Sequence, residues 1–83
     1  MDFLLEEEMI DILTFCLQNS GSSEVEEKKQ RLKQIGKNLF DDGGIDAMEN
    51  FFFVVENRII GEIGKDPKPY RNLWNGLTDE WNY

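Results

Sequence analysis

The sequence predicts an all-α fold: a small three-helix bundle with a C-terminal aromatic tail of short helical turns packed across it. Three observations carry that prediction. Apolar residues recur at three- and four-residue steps in three successive stretches, which is the period of one helix face. Runs rich in glycine, serine and aspartate separate the stretches, and no segment offers itself as a partner strand. The joints are short, which favours antiparallel neighbours. A single domain over residues 1–83 follows, with helices at about 2–18, 24–41 and 45–63 and a tail at 66–83.

The first helix rests on Leu5, Met9, Ile12, Leu13, Cys16 and Leu17, all on one face. Asp2 stands where an N-cap belongs, and Glu6, Glu7 and Glu8 lie near the positive end of the helix dipole. Asn19, Ser20, Gly21, Ser22 and Ser23 form the joint that follows.

Ser23 followed by Glu26 has capping-box spacing and announces the second helix. Val25, Leu32, Ile35 and Leu39 make its narrow apolar seam, with Lys28, Lys29, Arg31, Lys33 and Lys37 on the other faces. Asp41, Asp42, Gly43 and Gly44 end it, because glycine accepts the left-handed backbone that closes a helix.

The third helix is the expected core element, since Ile45, Met48, Phe52, Val55, Ile59 and Ile63 keep helical spacing throughout. A strand over Phe51, Phe52, Phe53, Val54 and Val55 is the competing reading, because aromatic and β-branched runs favour extended backbone. Ala47, Met48, Glu49 and Asn50 lead into the run without a break, which favours helix.

Gly61, Gly64, Pro67 and Pro69 mark a stiff, non-helical connection. Tyr70, Leu73, Trp74, Leu77 and Trp81 are too apolar for a disordered tail and are expected to fold back, with Thr78 as N-cap of a last helical turn.

Charge bounds the function. Seventeen acidic against nine basic side chains give a formal charge of −8, which counts against binding to nucleic acid or to an anionic membrane surface. The charge is also segmented: residues 1–24 carry six acids and no base, 25–40 two acids and five bases, and 41–64 six acids and one base. The second helix is thus a basic element between two acidic ones, a pattern expected to fix helix order within the molecule. No apolar stretch approaches the ~20 residues of a membrane span, and no segment reads as a signal peptide, so a soluble, cytoplasmic protein is expected.

With no histidine and Cys16 as the one cysteine, disulfide frameworks, Cys/His zinc sites and histidine-based nucleophile arrangements are excluded. Cys16 lies on the apolar face of its helix and reads as a small buried hydrophobe. Asp41, Asp42, Asp46 and Glu49 converge in sequence around the glycine turn but lack the alternating oxygen donors of a calcium loop. No glycine-rich phosphate cradle is present, and no cofactor is expected.

What remains is aromatic surplus. Phe51, Phe52 and Phe53 span roughly 200° of a helix, so one face cannot bury all three, and Phe53 falls off the stripe. Trp74 is expected to be a core residue and Trp81 a partly exposed anchor near the chain end. The function expected is a small, acidic, non-enzymatic protein-interaction module or regulatory subunit. It would bind another protein, or a second copy of itself as a homo-oligomer, through Phe53, Tyr70, Trp81 and Tyr83. The alternatives are an acidic mimic that inhibits a basic nucleic-acid-binding protein, and a carboxylate-based metal-dependent module.

Overall fold

The computed structural model describes residues 3–83. Among them the chain is all-α, without strands: α1 spans Phe3–Gln18, α2 spans Glu24–Ile63, and a 3-10 helix spans Lys68–Trp74. The expected N-cap Asp2 lies outside the described residues.

The second and third helices of the sequence reading are two limbs of α2, joined at one residue. Gly44 alone has non-helical backbone inside it, with φ 73° and ψ −163°. That conformation strongly favours glycine, so the chain changes direction there without a connecting loop. Helix continues from there through Phe51, Phe52, Phe53, Val54 and Val55, which removes the strand alternative. At the far end Gly64 adopts the left-handed conformation and donates its N–H to the Ile60 carbonyl at 3.0 Å, closing the helix. Gly61, expected in the connection, lies within the last turn of α2.

Two expected caps differ from expectation. Ser23 has helical dihedrals and makes no side-chain cap bond. A capping hydroxyl is normally delivered by extended backbone, and here Ser22 Oγ instead accepts from the Glu24 N–H at 3.2 Å. Thr78 Oγ1 does accept from the Glu80 N–H at 3.3 Å, but the turn it closes does not continue as helix, and residues 81–83 have no regular secondary structure.

The core takes Met9, Ile10, Ile12, Leu13 and Cys16 from α1. From α2 it takes Val25, Leu32, Ile35, Met48, Phe51, Phe52, Val55 and Ile59, and it is completed by Trp74 and Trp81. Ion pairs tie α1 to both limbs of α2. Arg31 grips Glu8 side-on, Nε to Oε2 at 2.6 Å and Nη2 to Oε1 at 2.8 Å. That hydrogen bonding holds the Glu8 carboxyl below its usual range. Arg58 reaches Glu7 at 2.6 Å and Glu6 at 3.5 Å, and also holds Glu62. Charge complementarity therefore acts through few residues. Of the five bases at 25–40, only Arg31 makes an ion pair with α1 among the described residues, and the tie to the second limb uses Arg58, the one base of residues 41–64.

The C-terminal end of α1 is satisfied from outside. The helix has no basic residue in its last turn, yet Lys65 Nζ donates to the Leu17 carbonyl at 3.5 Å and the Tyr70 hydroxyl to the Cys16 carbonyl at 3.3 Å. Carbonyls at a helix end have no intrahelical partner, so these two donors act as a cap delivered from the segment that follows α2.

Candidate interaction groove

The site begins with a glycine. Gly36 lies buried inside the first limb of α2, and a β-carbon there would come within 2.6 Å of Trp74 Cε2 and Nε1. The missing side chain is the hollow that admits the indole. Trp74 is fully buried in it, and its Nε1 donates to the Leu32 carbonyl at 2.9 Å, so the one polar atom of the ring is satisfied.

Further rings build outward from that anchor. Phe52 meets Trp74 edge-on, with centroids 5.4 Å apart and planes at 84°. Trp81 packs on Trp74 at 5.0 Å and donates its Nε1 to the Arg71 carbonyl at 2.8 Å. Tyr83 then lies 4.9 Å from Trp81. The Asn75 side chain fastens this last segment: its amide donates to the Tyr83 carbonyl at 2.8 Å and its oxygen accepts from the Tyr83 N–H at 3.0 Å.

Arg71 runs through the cluster. Its guanidinium carbon is 5.4 Å from the Phe52 ring centre and 5.1 Å from that of Tyr83, both cation–π distances. Its Nη2 donates to Oε1 of Glu56, the one buried acidic side chain among the described residues. Glu56 Oε2 and Arg71 Nε are also buried and have no hydrogen-bond partner.

Above this floor lies a groove of about 250 Å³, lined by Glu49, Asn50 and Phe53 from α2 and by Arg71, Trp81 and Tyr83 from the tail, with Phe52 at its base. Phe53 is 59 % exposed and Tyr83 56 %. Three of the four residues expected to bind a partner thus meet at one place. Trp81 corrects the expectation of a partly exposed anchor: it is 2 % exposed, because Trp74, Phe52 and the Arg71 carbonyl form its seat, and it serves as a wall. Tyr70 is elsewhere, half-buried in a separate concavity with Lys29, Pro69, Asn72 and Leu73.

Sequence reasoning missed Gly36, Glu56, Arg71 and Asn75. Two of them carried a signal. Gly36 is an isolated glycine inside a helical pattern, which marks close approach. Glu56 falls on the apolar stripe, four residues after Phe52 and three before Ile59, where an acid needs a buried partner.

The carboxylate-based metal alternative gains nothing from the geometry. Among the described residues no three of His, Cys, Asp and Glu come together to hold a metal ion, and Asp41, Asp42, Asp46 and Glu49 are all exposed. Burial raises the Cys16 thiol above its ordinary value, which disfavours the nucleophilic thiolate. No helix among the described residues is long and apolar enough to cross a membrane. Compared with known proteins, the chain matches no family model, no curated protein and no solved structure.

Proposed function

We propose that the chain is a non-enzymatic protein-interaction module of the cytoplasm that binds another protein through the groove between the second limb of α2 and the C-terminal segment. The frame we infer is a three-helix bundle with the aromatic tail packed across it. The observation that carries the reading is Phe53, a large ring held on a helix, 59 % exposed and beside the equally open Tyr83, over a floor of buried aromatics. An exposed aromatic on a rigid element loses little entropy on docking and is a frequent source of interface energy. The groove, at about 250 Å³, falls below the roughly 300–1,000 Å³ of sites that enclose a small molecule, which favours a surface contact over an enclosed ligand.

The test compares the parent with Phe53→Ala, both immobilised and exposed to native lysate. Circular dichroism first establishes equal helix content. Proteins retained by the parent and lost from the variant support the reading, and identical retained sets overturn it.

A further inference from the structure

Resting on that reading, we infer the chemistry of the partner: a peptide segment in which an apolar side chain stands next to lysine or arginine. The apolar requirement comes from two residues of the lining, since Phe53 and Tyr83 are exposed rings, 59 % and 56 %, at its edge. The cationic requirement comes from Glu49, an acid in the groove lining, and from three acids that neighbour lining residues along the chain. Glu49 lines the groove, Asp46 stands one turn before it on the same helix, and Asp79 and Glu80 immediately precede Trp81. All four are exposed, and none makes an ion pair among the described residues.

The one cation lining the groove does not offset them, because Arg71 is committed to buried Glu56 and to the rings of Phe52 and Tyr83. The groove therefore offers ring surface and uncompensated negative charge together, the combination that attracts an alkyl-ammonium or guanidinium side chain. A second copy of this chain fits it poorly, since a formal charge of −8 repels its own kind.

Three synthetic probes separate the requirements: an amphipathic leucine–lysine peptide, its leucine–glutamate counterpart, and a serine–lysine peptide of equal positive charge. Each is titrated into the full chain while backbone amide resonances are followed by NMR. The expected result is that only the leucine–lysine peptide shifts Glu49, Phe53 and Tyr83. Its affinity should fall about tenfold in Phe53→Ala and severalfold in Glu49→Gln. Equal binding of the serine–lysine peptide overturns the proposal, leaving diffuse charge attraction. Equal binding of the leucine–glutamate peptide also overturns it, while the interaction-module reading stands. If no probe moves these resonances, the peptide partner is rejected and the module reading is decided separately by the Phe53→Ala capture.

Discussion

The indole of Trp74 lies over Gly36 at a distance that leaves no room for a methyl group, 2.6 Å from where a β-carbon would stand. Glycine in a helix interior ordinarily costs about 1 kcal/mol relative to alanine, so a helical glycine replaced by alanine normally gains stability. Here the opposite is expected. A rigid ring, with its N–H fixed on the Leu32 carbonyl, cannot yield as a flexible chain would, and overpacking costs about 1–3 kcal/mol.

Gly36→Ala should therefore lower the urea midpoint, while Gly61→Ala, in the same helix with open space around it, should raise it, stabilising the fold by about 0.5–1 kcal/mol. Equilibrium urea melts of the two variants beside the parent check both signs. Stabilisation by Gly36→Ala would mean that the indole is not seated in that hollow.

The two tryptophans should behave alike. Both are buried, both donate to a backbone carbonyl, and they touch one another. Trp74→Ala and Trp81→Ala are each expected to cost about 3–5 kcal/mol, close to the whole stability of so small a domain. Thermal melts followed by circular dichroism measure this. A Trp81→Ala variant melting with the parent would return that ring to the role of exposed anchor.

Arg71→Met should be more harmful than the double change Glu56→Leu with Arg71→Met. The single variant strands a carboxylate that is 3 % exposed, which costs about 3–5 kcal/mol, whereas the double variant removes both charges together. Chemical denaturation of the pair gives the order. A double variant no more stable than the single one would show that Glu56 does not depend on Arg71.

Acid should loosen the tie between α1 and α2. The Glu8 carboxyl is held below its ordinary value near 4.5, chiefly by its hydrogen bonds to Arg31. A depressed carboxyl pKa contributes stability that is present above the unfolded value and is lost as pH falls through the folded one. Glu8→Gln should thus reduce the loss of stability below about pH 4.5 while lowering stability near neutrality. The effect should be small, because both side chains are 40 % exposed and water screens them. Urea midpoints across the acid range provide the comparison, and parallel pH profiles for parent and variant would contradict it.

Spacing along the chain made the helices legible. The seam Val25, Leu32 and Ile35 is buried, as is the stripe Met48, Phe52, Val55 and Ile59, and Phe53, which falls off that stripe, is the exposed ring. The break at Gly44 was legible because glycine takes positive φ readily. The fate of Trp81 was not, since position near a chain end says nothing about a seat assembled from Trp74, Phe52 and the Arg71 carbonyl. Pairing of Arg71 with Glu56 depends likewise on how the tail folds back, and helical periodicity carries no register for a segment that is not regular helix. The groove belongs to that less legible part, with one wall on a periodic helix and the other on the 3-10 helix and the irregular segment after it.

The 3-10 helix touches opposite parts of the molecule at once. Its Tyr70 hydroxyl holds a carbonyl at the end of α1, while Trp74, four residues on, fills the hollow at Gly36 and meets Phe52. In terms of local opening, α1 cannot fray fully from its C-terminal end while this segment stays seated, and the segment cannot lift without exposing an indole. Amide protons in the last turn of α1 and those around Phe52 in α2 should then exchange with solvent through one shared event, and the rate of that event is set by residues 68–74.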